Sequence, residues 1–585
     1  MRQKGDLIAA IAALRTAIQI APDLGEAHND LGGLLRERGE VKAALASFRE
    51  AVRTRPKLAL AWFNLGTLLR DLGELEDAVD ALTRSLALDP KQADAFYWLG
   101  NAWMGRGDAH QAEQAYRAAL RVDAQMLVAR WALTMAQIEP VPASLQAAVG
   151  SRENFTRELD KLIAWCRSHR PSGGFAAVGA TQPYYLAYQE QSNVELLRKY
   201  GHLCTELMKP WEAKVGLPVR TFTRAARCRV GIVSAHFTNH SVWNAIVRGW
   251  MEHLDPSKIE LHLFHIASHH DGETAFARQR AHRFESAQRD WSTWAKAIVE
   301  HEVDVLVFPE VGMDAVTAKL AAARLAKVQV ATWGHPETTG LPSIDHFVSA
   351  SAMEPAGAAA HYVERLTTLP GLGCCARRFG IAAEAVDLRS LGIAPGTTSL
   401  LCPGVPFKYA AEHDFLWVEI ARRLSPCRLI FFRGQPTLLA ERLETRLRGQ
   451  FGAAGLDFDA HVVFLPWQSH DRFFGLMKSV DVFLDSPGFS GFNTAMQAVE
   501  CGLPIVAWEG KFLRGRFASA ILRELGLGEL VADSAGAYVD AVVRLAQDLA
   551  FRKRVRATIE RRGPSLFANP EGARSMQRFL LEAAA

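Results

Sequence analysis

Over the first 124 residues the apolar positions follow a helical pattern, and the pattern repeats every 34 residues. Pro22, Pro56 and Pro90 mark the interval, as do Leu31, Leu65 and Leu99, each followed by a glycine (Gly32, Gly66, Gly100). Gly39, Gly73 and Gly107 keep the same spacing, each before an acidic residue. Ala10, Ala44, Ala78 and Ala112 run in step with Leu14, Phe48, Leu82 and Tyr116, four positions on. Small residues let paired helices approach closely, the large residue fills the groove, and a glycine turns the chain between them. Proline ends the second helix because it cannot continue the hydrogen-bond ladder. The pattern predicts half a helix pair and then three full ones over 6–124, with Ala124 in place of the last proline and a capping helix over 125–139.

A 34-residue helix-turn-helix unit of this kind resembles the tetratricopeptide repeat. Such a solenoid presents a concave face to an extended peptide or another protein. The alternatives are that so short an array packs on the next domain or makes a homodimer. From 142 to 225 the periodicity weakens, punctuated by Pro140, Pro142 and Pro171-Ser172-Gly173-Gly174, and a helical linker is expected.

After Arg229 the pattern changes to short apolar β-type runs at 229–235, 259–266, 303–308, 328–333 and 344–349, the first four separated by helix-like segments. A second series follows at 398–402, 428–432, 462–465, 480–484 and 503–508, and the Gly-, Ala- and Arg-rich stretch 370–395 between them suits a hinge. Strands buried on both faces and alternating with helices predict parallel sheets. The expected fold class is therefore α plus α/β: a helical solenoid (1–141), a helical linker (142–225) and two doubly wound domains (226–380 and 381–585). Two such domains facing each other make a cleft lined by the carboxyl ends of their strands, where ligands of this fold bind.

The length, 585 residues, agrees with three to four domains at about 150 residues each. Sixty-seven basic against 63 acidic residues leave a net charge of +4, which gives no reason to expect nucleic acid or an anionic membrane as partner. Met1 opens no charged-then-apolar leader, and no apolar run reaches the roughly 18 residues of a membrane span. None of the eight cysteines has C-x-x-C spacing, and adjacent Cys374 and Cys375 are poorly placed to clamp zinc. The expectation is a cytoplasmic protein with reduced thiols and no metal.

The most informative segment is Leu484-Asp485-Ser486-Pro487-Gly488-Phe489-Ser490-Gly491-Phe492-Asn493-Thr494-Ala495-Met496-Gln497. A strand ends, small residues form a loop and a helix starts near Asn493, whose unpaired N–H groups and dipole suit a phosphate. One turn on, Gln497 offers an amide to ribose hydroxyls; a tight turn made for packing explains the glycines equally well. His236 and His240 follow the first strand of the first domain, at the cleft mouth, where histidine acts as a base near neutral pH or holds the structure. Trp333-Gly334-His335-Pro336-Glu337-Thr338-Thr339-Gly340 also follows a strand, and its hydroxyls and amides either cradle an acceptor or diphosphate or satisfy a turn. Lys408, just beyond the first strand of the second domain, is placed to neutralise a departing diphosphate.

With the repeats, these loops resemble those of glycosyltransferase family 41, in its bacterial O-GlcNAc transferase and SPINDLY-like branch. The residues that carry the resemblance are Arg229–Ser234 leading to Asn239 and His240, Gly334-His335-Pro336 through Gly340, Lys408, and Leu484–Pro487 through Thr494. It implies a GT-B fold and an inverting, metal-independent transfer from a nucleotide-diphosphate sugar, UDP-GlcNAc first, to protein side-chain hydroxyls, with no cofactor. It implies His240 at the reaction centre, as base or orienter, and Lys408 on the diphosphate. Thr338, Thr339, Gly340, Ser490, Gly491, Asn493, Thr494 and Gln497 would hold the donor, and His236, Asn239 and His335 would serve the acceptor or orient it.

Several positions depart from the family pattern. Gln497 stands where a ribose-binding aspartate is common, Val405 where a glutamine meets the donor, His236 where animal enzymes have Asp, and Phe492 and Asn493 where they have His and Thr. Tyr188-Gln189-Glu190-Gln191-Ser192 lacks the histidine found there in the animal enzymes. Two other readings stay open: transfer to a glycan or lipid acceptor, and a repeat scaffold whose catalytic domains have decayed.

Overall fold

A computed structural model describes residues 2–215, 226–287 and 289–585. Met1 and the last ten residues of the expected linker, 216–225, lie outside the described residues. The chain divides into two compact units, the first made of Met1–Glu139, Ser151–Cys166 and Pro436–Leu438, the second of Pro140–Gly150, Arg167–Gln435 and Leu439–Ala585.

In the first unit, helix pairs Gly25–Glu37/Val41–Thr54, Ala59–Asp71/Leu75–Leu88 and Ala93–Gly105/Ala109–Val122 follow the 34-residue repeat, after a single helix at Arg2–Ile20. The repeated glycines are close-approach positions. A Cβ on Gly32, Gly66 or Gly100 would lie 2.7 Å from Phe48, 2.7 Å from Leu82 and 2.4 Å from Tyr116, the large residue of the partner helix in each case. The capping helix forms over Leu127–Met135, shorter than expected. The solenoid does not end at 141, because part of the long helix Leu145–His169 belongs to this unit, with Phe155, Leu159 and Leu162 fully buried.

The second unit holds two parallel sheets. The first runs β1 (Cys228–Ser234), β2 (Ile259–His265), β3 (Arg283–Glu285), β4 (Val305–Phe308), β5 (Val328–Thr332), β6 (His346–Ala350) and β7 (Arg365–Leu369), in the order β3-β2-β1-β4-β5-β6-β7. The second runs β8 (Thr398–Leu401), β9 (Cys427–Arg433), β10 (Val462–Pro466), β11 (Val482–Leu484), β12 (Ile505–Trp508) and β13 (Val531–Ala532), in the order β10-β9-β8-β11-β12-β13. All ten expected strands are present. The three additional ones, β3, β7 and β13, are short edge strands.

In both sheets the winding direction reverses beside the first strand, between β1 and β4 and between β8 and β11. Such switch points open crevices at the carboxyl edge. One boundary is corrected: the last helix, Glu571–Ala584, follows the second domain in sequence but packs on β1, β4 and β7 of the first. Its apolar stripe of Ala573, Met576, Phe579 and Leu580 has the helical spacing needed to cover that sheet face. The described cysteines are all free, six of them buried. No described helix is long and apolar enough to cross a membrane.

Candidate active site

The four strands at the two switch points deliver most of the candidate residues. His236 and His240 leave β1, Glu310 follows β4, Lys408 follows β8, and the loop 485–491 leaves β11 for the helix Phe492–Glu500. At this last loop Asp485 is the organiser. Its buried carboxylate accepts the Gly491 N–H at 3.1 Å, and its backbone oxygen accepts the Tyr538 hydroxyl at 2.9 Å. The Ser490 hydroxyl receives the Ala518 N–H at 2.9 Å, and the Thr494 hydroxyl folds back on the Gly491 oxygen at 3.3 Å. A Cβ at 491 would lie 2.3 Å from that hydroxyl and would displace it.

Lys408 reaches over this loop. Its ammonium stands 4.9 Å from the Phe489 ring and 3.5 Å from where a Cβ on Gly491 would be. Among the described residues it has no carboxylate within ion-pair distance. Burial lowers its pKa to about 8, against the pull of Asp485; burial raises Asp485 to about 6. A buried cation with no carboxylate in ion-pair contact, beside the positive end of a helix, is a site for an anion.

Lys408, Ser490, Gly491, Asn493, Thr494 and His335 line one cavity of about 280 Å³. Tyr184 and Tyr188, from the segment before the first domain, form part of its wall, Tyr188 stacking on Phe489 at 4.2 Å. Asn239, His240, Gln497, Arg377 and Arg378 line a second cavity of about 660 Å³. Ser241 and Asn493 border both, joined across the two domains by an Asn493 amide donating to the Ser241 oxygen at 3.1 Å.

His240 stacks on His236 with ring centroids 3.7 Å apart. Burial first, then His236, lowers its pKa to about 4, so the ring is neutral at pH 7. Its Nδ1 accepts the Val242 N–H at 3.3 Å, which leaves the proton on Nε2. His236 is also lowered by burial. Asn239 is exposed, its N–H donating to Asp271 at 2.7 Å and its side-chain oxygen accepting from the Asn244 amide. His335 is stacked on Tyr184, with its pKa lowered by burial to about 4.

Thr338, Thr339 and Gly340 are placed differently from the donor-binding role expected of them. Both hydroxyls donate to the buried Glu364 carboxylate, Thr338 at 2.6 Å, and the Gly340 N–H is turned onto the Thr338 oxygen. Gly340 lies against the helix Val194–Val215, where a Cβ would sit 2.0 Å from the Leu197 oxygen. None of the three lines either cavity; they make a structural turn.

Sequence reading gave no role to Asp485, Arg377, Arg378 or Glu310. Glu310 is fully buried beneath the His236 loop, accepting from the Ser234 hydroxyl at 2.7 Å and the Ala235 N–H at 2.9 Å, and burial raises it to about 8. Its position directly after a switch-point strand was the available signal. The replacement Phe492 is also explained: it is buried against Trp333 and Phe517 at 5.0 and 6.0 Å, filling the seam with carbon.

The Glycosyl transferase family 41 profile matches residues 181–372 and 414–572, which hold the histidine loop and the glycine loop but not Arg377, Arg378 or Lys408, and a tetratricopeptide repeat profile matches 2–59 and 63–126. The chain belongs to glycosyl transferase family 41. Within that family it is 25% identical over 343 residues to an Arabidopsis thaliana protein named as a probable UDP-N-acetylglucosamine–peptide N-acetylglucosaminyltransferase SPINDLY, covering 56% of this chain and 36% of the relative. A SPINDLY protein of Eustoma exaltatum subsp. russellianum is 28% identical over 272 residues, covering 45% of this chain and 28% of its own. The chain thus spans about a third of the length of the curated relatives it matches. A solved structure of a mutant Thermobaculum terrenum O-GlcNAc transferase superposes with a TM-score of 0.69 at 21% identity, over 99% of this chain and 98% of that one. The likeness shows a shared fold, helical repeats followed by two parallel-sheet α/β domains.

Proposed function

We propose that this family 41 member is an inverting protein O-glycosyltransferase that takes a sugar, GlcNAc first, from a UDP-linked donor and delivers it to side-chain hydroxyls. The observation that carries this reading is Lys408: a buried cation with no carboxylate in ion-pair contact, over a glycine loop and a helix N-terminus, in a cleft at two switch points. That arrangement fits a diphosphate leaving group. The acceptor oxygen attacks the anomeric carbon from the side opposite the diphosphate. The carbon–oxygen bond to the β-phosphate breaks, the diphosphate departs with the electron pair, and the acceptor's proton passes to an oxygen of the departing diphosphate.

In this reading Lys408 and the first-turn N–H groups at 492–494 stabilise the departing charge. The positive charge comes from the chain itself, which accords with metal-independent transfer. Asn493 and Gln497 hold donor hydroxyls across the two cavities. His240, neutral with its proton on Nε2, donates a hydrogen bond into the larger cavity and so orients donor and acceptor. The repeats collect the acceptor protein, in line with the "peptide" of the relatives' names, and a cytoplasmic location suits such acceptors.

The test is a thermal-shift and transfer screen of the purified chain with UDP-, GDP- and CMP-linked sugars, with Lys408→Ala alongside. Stabilisation by UDP-GlcNAc and lysine-dependent sugar transfer to a co-expressed protein are expected. Sugar found on glycan or lipid extracts instead would replace the acceptor assignment. Absence of stabilisation by every nucleotide would overturn the enzyme reading in favour of a scaffold.

A further inference from the structure

Outside both cavities, three ligand-type side chains converge where the segment before the first α/β domain meets the second. Glu190 follows the aromatic turn Tyr184–Tyr188, and Glu412 and His413 sit together just before the helix Asp414–Arg423. One ligand atom from each lies within 4.8 Å of the other two. The His413 Nε2 is 3.6 Å from Glu190 Oε2 and 3.7 Å from Glu412 Oε1.

These separations are too long for hydrogen bonds and lie at or just beyond the long end of the edges of a tetrahedral coordination shell. Ligands about 2.0–2.2 Å from a tetrahedral Zn²⁺ stand roughly 3.3–3.6 Å from one another. The imidazole is the deciding group. Its side chain is 9% exposed, Nε2 is buried, and that atom has no hydrogen-bond partner although it points between two carboxylates. A buried polar atom without a partner is costly.

The surroundings hold the ligands in place. The Trp508 ring stands edge-on to the imidazole at 5.2 Å, and the other Glu190 oxygen accepts the Lys511 N–H at 3.1 Å. Glu412, with 37% of its side chain exposed, leaves a path from solvent.

The geometry points to a divalent-cation site of the Zn²⁺ type, formed by Glu190, Glu412 and His413 with water completing the shell. Nitrogen from one imidazole and oxygen from two carboxylates is a donor set for Zn²⁺ rather than for the all-oxygen shells of Ca²⁺ or Mg²⁺. The site touches no reacting atom. Its consequence is mechanical: a Cβ on Gly488, midway along the glycine loop, would lie 3.6 Å from Glu190 Oε2 and 3.7 Å from His413 Nε2. A bound ion therefore ties the segment before the first domain to the second domain, beside the loop that Lys408 overlies.

The experiment uses the full chain, stripped with chelator and titrated with ZnCl₂ alone against a chromophoric competitor, with no nucleotide sugar present. Expected are about one tight equivalent and a rise in Tm of about 2 °C or more. His413→Ala should lose that equivalent. Glu412→Gln, at a part-exposed position, should fold normally and bind at least about tenfold more weakly; it decides the matter if His413→Ala does not fold. Two results overturn the site. One is no tight equivalent in the wild type, which would make the three side chains an ordinary polar cluster. The other is uptake unchanged in Glu412→Gln, which would place the zinc on other histidines. Neither depends on whether the chain transfers sugar.

Discussion

At Lys408 burial pulls the pKa down to about 8 while Asp485 pulls it up, so the ammonium is charged at pH 7 and begins to lose its proton just above. A diphosphate binds the charged form. UDP affinity should therefore be level near pH 7 and fall toward about tenfold per unit above pH 8, measured by titration between about pH 7 and 9. Lys408→Arg should flatten that decline, because a guanidinium stays charged throughout. A decline identical in the arginine variant would remove Lys408 as its cause. His240 calls for a different comparison. With the pKa lowered to about 4 and Nδ1 occupied by Val242, it is a poor base but a ready donor through Nε2. His240→Ala should reduce transfer by about 10²-fold or more with nucleotide binding intact. His240→Gln, which keeps an N–H donor, should recover part of the loss. Equal loss in both variants would favour the base.

The glycine loop acts as one element, and Asp485 couples its shape to its charge. Asp485→Asn keeps an acceptor for the Gly491 N–H but removes the charge that raises Lys408. The decline in UDP affinity should therefore begin at lower pH in this variant, and an unmoved decline would show that the two groups do not communicate. Asp485 was in view in the sequence, but only the fold reveals its work, because Gly491, Tyr538 and Lys408 reach it from three different elements. The same division runs through the molecule. Repeating Gly66 and Leu82 announced their contact through a fixed period, and β1 and β4 announced themselves as apolar runs buried on both faces. β3 (Arg-Phe-Glu) and β7 (Arg-Leu-Thr-Thr-Leu) did not, since short edge strands with polar positions carry little apolar signal. Thr338 and Thr339 looked like ligand hydroxyls for want of one fact: their partner Glu364 is 25 residues or more away in sequence.

At the scale of the whole molecule, the chain end is the part that sequence order misplaces. The helix Glu571–Ala584 follows the second α/β domain, yet Ala573, Met576, Phe579 and Leu580 bury themselves against the first sheet. The Gln577 side chain accepts the Asp255 N–H at 2.7 Å, and the Ala584 oxygen accepts from Lys327 at 3.0 Å. Met576, Phe579 and Leu580 each contribute about 1.5–3 kcal/mol when fully buried. Their sum is a large share of the roughly 5–15 kcal/mol by which a domain is stable. Ending the chain at Pro570 should thus unfold or aggregate the first α/β domain, where His240 sits, while leaving the repeats helical. The check is limited proteolysis with mass mapping. Early cuts should fall within 226–380 of the truncated chain and be absent from the full one. A truncated chain with an unchanged cleavage map would mean that the helix is only an attachment. The loss predicted here would strike the domain farther away in sequence, because folding joined the helix Glu571–Ala584 to strands laid down some 200 to 340 residues earlier.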